Sequence, residues 1–535
     1  MSDYPDHAKG ETAVVDVAIV GAGVSGCYCA YRLLNSPGPG GARSVHLFEG
    51  GGRIGGRLWS IKLPGLEDIP AEFGGMYFSD LQKNVYGLIT QELGLTSVPV
   101  ALKRVLQFLR TTRLTDADYV NPQSIPFRLR VEEQGKSPPQ LLLAFLESVV
   151  PDLKSIWPMN PAGSPAATIK ALRAIVIDGR PLYQWGFWNL LAEKMSEEAH
   201  ALLIATLGST TLFQNWNAYD AVLDCVRDLA GIYHKLTGGY EELPVTLAKR
   251  FQAKGGRVHL HRRLARLGRD GELMSLEFID AKGDREIVRA RNVILAMPQR
   301  SLELIDSPDV LFGESQFRSD FRSVVGVPAS KIFLAYDQPW WEQMPLGPGH
   351  VTLKDVAVSY TDLPMRQCYY LGASPTTGKA LLMASYGDGS AAGFWAACLR
   401  NSKWGPHLAP YQALRGFSAH QSRRSSAAMV AAVTQQLGKM HGVVVPPPID
   451  SLFHDWNEDP YGGGWHYWNP FVKSWEVMPR VCRPSARHPL FVCGESFSLE
   501  QGWVEGALNT AEHVLETYFQ LGRPGWLPAD YSIGD

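Results

Sequence analysis

Apolar residues along this chain follow two rhythms. Residues 14–20 (VVDVAIV) form a run broken only by Asp16, the pattern of a strand buried on both faces. A glycine turn follows, and helical spacing then carries the chain through Leu34. NSPGPGGAR at 35–43 is read as a loop, and Val45–Glu49 as a second strand. Between 137 and 235 the period is that of helices, with LLLAFLESVV, WNLLAEKMSEEAHALL and DAVLDCVRDLAGIYHKL as segments. Pro138 and Pro139 stand near the start of the first, where proline is tolerated. From 256 to 296 strand patterns return in GRVHLHRRLARL, ELMSLEFID and NVILAMP. KIFLAYD and ALLMASY continue them, with a helix near 391–400. Finally LFVCGE, a turn and VEGALNTAEHVLETYF repeat the strand–turn–helix of the beginning. That order predicts a sheet which the chain leaves and later rejoins.

Composition narrows the picture. With 535 residues the chain exceeds one hydrophobic core, so at least two packed units are expected. A net charge of −2, from 51 basic and 53 acidic residues, recommends neither nucleic acid nor an anionic membrane as partner. No apolar run is long enough to span a bilayer, and the first fifteen residues lack the pattern of a secretory signal. The seven cysteines are odd in number and scattered, without metal-type spacing. They fit reduced thiols in a cytoplasmic protein.

Chemistry enters at Gly21-Ala22-Gly23-Val24-Ser25-Gly26, a GxGxxG turn between strand and helix. Gly21 permits the tight turn, Gly23 lets a diphosphate approach the backbone, and Gly26 allows close packing. Glu49 ends the second strand at the spacing of an acid that binds ribose hydroxyls, and it disfavours a 2′-phosphate. Glu49-Gly50-Gly51-Gly52-Arg53-Ile54-Gly55-Gly56-Arg57 then resembles the E-x3-R-x-G-G-R signature of the flavin amine oxidases. In it glycines bring N–H groups to the diphosphate and Arg53 and Arg57 supply charge.

The resemblance runs over almost the whole chain and is closest to the L-amino-acid oxidase branch. AEFGGMYF (71–78), with Gly74, Gly75 and Met76, is similar to the segment crossing beneath the flavin. LTGGYEELPVTLA and the strand through Leu264 resemble the return to the cofactor domain, the Leu264 backbone meeting the adenine. SKIFLAYDQPWWE, TDLPMRQCYY and ASYGDG resemble substrate-domain strands; DPYGGGWHYW and CGESFSLEQGWVEGAL resemble the C-terminal signature. The resemblance implies an α/β fold: a discontinuous Rossmann-like FAD-binding domain (1–62, 236–322 and 478–535), a mixed α+β substrate domain (63–127 and 323–477) and a helical domain (128–235).

It also implies roles. Glu495 would meet the ribityl chain, with Gly502 and Trp503 beside the flavin ring and Trp465 as the second wall of an aromatic cage. Gly464 stands where monoamine oxidases carry a flavin-attaching cysteine, so FAD would be noncovalent. Lys331 would hold a water near flavin N5, Tyr386 would bind a substrate carboxylate, and Tyr369 would line the same pocket. One position departs: Tyr77 replaces the arginine that clamps the carboxylate, offering one neutral hydrogen bond instead of a charged fork.

Asp220, Asp224 and Arg227 share one helix face by spacing, on a helix that by resemblance borders the substrate cavity. The acids would recognise a cationic side chain, Arg227 would replace the missing clamp, or the three would form an internal ion-pair set. The expected reaction is hydride transfer from an amine-bearing carbon to flavin, with O2 giving H2O2 and water hydrolysing the imine to a 2-oxo acid and ammonia. An oxidase of amines or carboxyl-modified amino acids, a decarboxylating monooxygenase and a flavin-less partner-binding protein on the same fold are the alternatives. The expected partners are a small amine or amino acid and O2, with self-association left open.

Overall fold

In the computed structural model, Val15–Val20 lies at the centre of a seven-stranded sheet, with Val45–Phe48 and Arg285–Leu295 parallel to it on either side. The structure describes residues 14–35, 44–100, 104–211, 214–343, 345–346, 351–352, 356–400, 425–531 and 533. The N-terminal segment and nearly all of the expected 35–43 loop lie outside them.

The strand Arg285–Leu295 shows how burial follows the partner. Its first half pairs antiparallel with Leu273–Ile279, which pairs with Arg263–Asp270, and much of that half reaches solvent. Its last three residues, Val293–Leu295, run between parallel neighbours, Val15–Val20 and Leu490–Val492, and are wholly buried. Parallel strands covered by helices on both faces carry continuous apolar runs. The covering helices include Val24–Asn35, against which Glu242–Ala253 and Val504–Tyr518 pack.

A second seven-stranded sheet runs in the order Asp450–Asp455, Ala329–Tyr336, Ala380–Asp388, Gln367–Ala373, Val356–Thr361, Arg104–Leu109, Thr112–Thr115. Ile332, Leu334 and Tyr336 join one hydrophobic cluster, while Phe333 and Ala335 join another with Trp59, Ile61 and Phe73. This alternation buries both faces of the sheet. A further core, from Leu109 to Val226, is largely helical.

Two helical expectations need correction. The 188–203 segment is two helices, Phe187–Lys194 and Glu197–Thr206, because the Ser196 hydroxyl accepts the Ala199 N–H (3.1 Å) as an N-cap. The 220–236 segment is a helix, Ala218–Ala230, followed by a strand, Tyr233–Leu236. Gly231 stops the helix, and Tyr233–Leu236 then pairs with Phe78–Ser79 and Ser97–Pro99. Cross-strand hydrogen bonds from distant segments override local helical periodicity here. All seven cysteines are free thiols.

Candidate active site

At the carboxyl ends of the parallel strands a cavity of about 560 Å³ opens. Gly21 adopts φ +103°, and a Cβ there would stand 2.3 Å from the Ala296 carbonyl oxygen. A Cβ on Gly26 would come within 1.8 Å of the Gly21 oxygen. A Cβ on Gly23 would meet nothing closer than the Gly56 Cα at 3.9 Å, so Gly23 is the open floor of a cradle. The first helix begins at Val24, directing its N-terminal N–H groups at this floor. Glu49 caps the far side, accepting the N–H groups of Ala22 (2.8 Å) and Gly51 (2.7 Å). Leu264, Gly55, Gly56 and Gly75 also line the cavity.

Both signature arginines line the cavity, and their guanidinium groups also bond to protein. Arg53 donates to the carbonyls of Leu58 (3.0 Å) and Gly56 and pairs with Glu241 (3.2 Å). Arg57 pairs with Glu495 (2.8 Å) and donates to the Gly464 carbonyl (3.1 Å). Glu495 also accepts from the His466 N–H (2.8 Å), the His466 ring (2.9 Å) and the Gly502 N–H (2.8 Å). Burial pushes its carboxyl up, but Arg57 and His466 outweigh that and hold it down at about 2. Glu495 is thus a fixed anion tying three segments together at the cavity wall.

Lys331 is 3% exposed and donates to the carbonyls of Glu72 (2.9 Å) and Gly74 (2.5 Å), with its ammonium 4.6 Å from the Tyr386 ring centre. Burial brings it down to about 7, against the pull of Glu72, whose own carboxyl burial raises to about 7. Gly74 and Gly75 fold over the Arg57–Leu58 turn, a Cβ on Gly74 meeting the Arg57 oxygen at 1.7 Å. Met76 and Tyr386 pack with the aromatic cluster around Trp59 and Phe73. Tyr77, Tyr369 and Tyr386 are drawn together as expected, and burial raises all three phenols, Tyr77 and Tyr386 to about 12. Tyr360 joins them beside Tyr369, a member the sequence reading missed.

Trp503 lines the same cavity as Glu49. Its ring stacks on Tyr233 (5.8 Å, 17°), and its indole N–H donates to Asp224 (3.1 Å). Trp465 stands next to Gly502 and crosses Trp216 edge-on (5.8 Å). Beyond Trp503 lies a second pocket of about 170 Å³, lined in part by Asp224, Arg227, Asp228, Tyr233 and Glu500.

On the helix Ala218–Ala230, Asp220 and Asp224 feel the charge of Arg227, but each of the three has its direct partner on another segment. Arg227 pairs with Glu500 (3.1 Å), Asp224 takes the Trp503 indole, and Asp220 accepts the Ser474 hydroxyl (2.7 Å) inside the core. Burial raises Asp220 and Asp224 to about 7, and Asp228 to about 6. Glu500, Tyr233 and Asp228 were missed by sequence reasoning. Asp228 had a signal, since it lies one turn beyond Asp224, whereas nothing local marks Glu500 as the partner of Arg227.

Comparison with known proteins agrees with this geometry. The profile of the family described as flavin containing amine oxidoreductase matches residues 24–402 and 410–514. Aplysianin-A of Aplysia kurodai is 28% identical, covering 95% of this chain and 90% of its own. Achacin of Lissachatina fulica is 28% identical, covering 94% and 93%. The L-amino-acid oxidase of Mus musculus is 25% identical, covering 92% and 69%. Among solved structures, putrescine oxidase bound to putrescine superposes with a TM-score of 0.65 at 16% identity, covering 95% of this chain and 100% of that one. Cyclohexylamine oxidase from Brevibacterium oxydans superposes with a TM-score of 0.63 at 20% identity, covering 94% and 99%.

Proposed function

The chain belongs to the flavin containing amine oxidoreductases, and from that premise we propose that it is an FAD-dependent L-amino-acid oxidase. It is an oxidoreductase of CH–NH2 groups, and FAD is its cofactor. The observation that carries the finer reading is one cavity lined by a glycine cradle, Glu49 and Trp503 together. Gly23 and the N-terminus of the first helix would receive the diphosphate, while Glu49 and Leu264 would hold the adenosine end. When bound, FAD supplies the acceptor for the hydride leaving the amine-bearing carbon and returns the electrons to O2 as H2O2.

The chain's own residues orient the substrate and exclude water. Trp503, fixed by Asp224 and Tyr233, gives an apolar wall against which a neutral amine is desolvated. Tyr386 offers a phenol hydrogen bond for a carboxylate, while the Tyr369 hydroxyl donates to Gln367 (2.9 Å), and a neutral amine needs no protein base. Lys331 supplies a cation whose proton is easily lost, beside the segment 72–74. Attachment of FAD is noncovalent in this reading, because residue 464 has no thiol and a Cβ there would meet the Ala329 Cβ at 2.6 Å.

A second reading, an oxidase of amines without a free carboxylate, is favoured by Tyr77 and by the Arg227–Glu500 pair, which commits the nearest candidate clamp. A peroxide-coupled screen of L-amino acids, their methyl esters and the matching amines, with product masses, decides between them. Turnover of free acids to 2-oxo acids supports the first reading. Turnover confined to esters and amines replaces it with the second, and a carboxamide product identifies a monooxygenase. Acid precipitation should leave all flavin in the supernatant.

A further inference from the structure

Trp503 separates two spaces: one side borders the cofactor cavity, the other the pocket of about 170 Å³. Part of that pocket's wall comes from the end of the chain, through Pro528, Asp530 and Tyr531. This segment is pinned. The Arg523 guanidinium donates to the carbonyls of Pro528 (3.3 Å), Ala529 (2.8 Å) and Tyr531 (2.8 Å) and pairs with Glu516 (3.0 Å). A planar fork with five donors can hold several carbonyls and a carboxylate at once. The Tyr531 hydroxyl donates to Glu505 (2.5 Å) and accepts from the Asn509 amide (3.0 Å). Glu505 in turn accepts the N–H groups of Asn84 (2.8 Å) and Val85 (2.7 Å). Between these anchors Leu527 is buried, and Trp526 donates to Asn84 (3.2 Å) while meeting Tyr28 edge-on (6.3 Å).

These bonds hold Tyr531 against Glu505 and Asn509 of the helix Val504–Tyr518, which starts directly after Trp503. We propose that the segment Pro524–Tyr531 is the fixed outer wall of the substrate chamber and sets the length of side chain the enzyme accepts. The proposal rests on the oxidase reading, with Trp503 beside the reacting carbon. A substrate held on the cofactor side of the indole would project its side chain past Tyr233 towards Tyr531.

The test compares the wild-type holoenzyme with a chain ended at Arg523 and with the variants Tyr531→Ala and Asp530→Trp. Each is assayed on straight-chain L-amino acids and straight-chain primary amines of increasing length, with FAD content read from flavin absorbance. Truncation and Tyr531→Ala should retain FAD and raise the kcat/KM ratio of long to short substrates about tenfold, mainly through KM. Asp530→Trp, which fills the pocket from its rim, should move the ratio the other way. If FAD is retained and every ratio stays within about twofold of wild type, the segment is a structural strap and the proposal is overturned. If the truncated chain does not accumulate, the two point variants make the same comparison. Wild-type enzyme inactive on the whole series would refute the oxidase reading first, and this proposal with it.

Discussion

The two spaces that meet at Trp503 are built by opposite strategies. The cofactor cavity owes its shape to backbone: glycines at 21, 23, 55, 56 and 75, a helix N-terminus, and Glu49 receiving two N–H groups. Its glycine turn is a local object between a strand and a helix, although Leu264, Glu495 and Trp503 join the wall from far along the chain. The pocket beyond Trp503 owes its shape to side chains from distant segments, around residues 79–83, 224–233, 500–503 and 528–531. Its charges are already committed, Arg227 to Glu500 and Asp224 to the Trp503 indole. A ligand common to a whole family can be met by backbone, whereas a substrate that differs between members must be met by side chains that can change.

The sharpest way to break this contrast is at the glycines. Gly26→Ala should abolish folding, because its Cβ falls 1.8 Å from a backbone oxygen that cannot move aside. Gly23→Val should leave the fold intact, since its side chain meets only the Gly56 Cα at 3.9 Å, yet weaken FAD binding by about a hundredfold or more. Circular dichroism and flavin titration separate the two outcomes. A Gly23→Val protein that binds FAD normally would show that the cradle is not where the diphosphate lies.

Lys331→Met is next in size. With FAD retained, the reaction of the reduced enzyme with O2 should slow by about tenfold or more, while substrate affinity changes less. Stopped-flow traces with unchanged reoxidation would leave Lys331 only its role of pinning the Glu72 and Gly74 carbonyls.

Tyr77→Arg probes the substrate side. A charged fork is worth more to a carboxylate than a neutral phenol, so kcat/KM for an amino acid relative to its methyl ester should rise about tenfold. If the wild type already rejects the ester by about a thousandfold and Arg227→Ala abolishes that selectivity, Arg227 is the clamp despite its Glu500 partner.

The smallest effect concerns stability. Asp220 is buried, and among the described residues its Oδ2 finds no hydrogen-bond partner. Burial raises its carboxyl from 3.8 to about 7, so the folded chain keeps a proton that the unfolded chain has released. The resulting stabilisation is complete below the unfolded value and is lost as pH rises through 7. Asp220→Asn should therefore flatten the fall of Tm between pH 5 and 8 and exceed wild type by about 1–3 °C at pH 8. An unchanged slope would mean that Asp220 does not hold its proton.

The sequence by itself determined the cofactor end of this protein. GxGxxG between a strand and a helix and Glu49 at the next strand end require only short-range geometry. Buried parallel strands also announce themselves as apolar runs, which is why Val15–Val20, Val45–Phe48 and Leu490–Val492 were legible. Tertiary structure decided the rest. Tyr233–Leu236 became a strand because Phe78–Ser79 and Ser97–Pro99 supply its hydrogen bonds. Half-buried Arg53 and Arg57 pair with Glu241 and Glu495, and no spacing along the chain specifies those partners. The pocket beyond Trp503 brings Asp224 and Tyr531 together across more than half the chain. Only folding sets which distant side chains share a wall, and there periodicity carries no information.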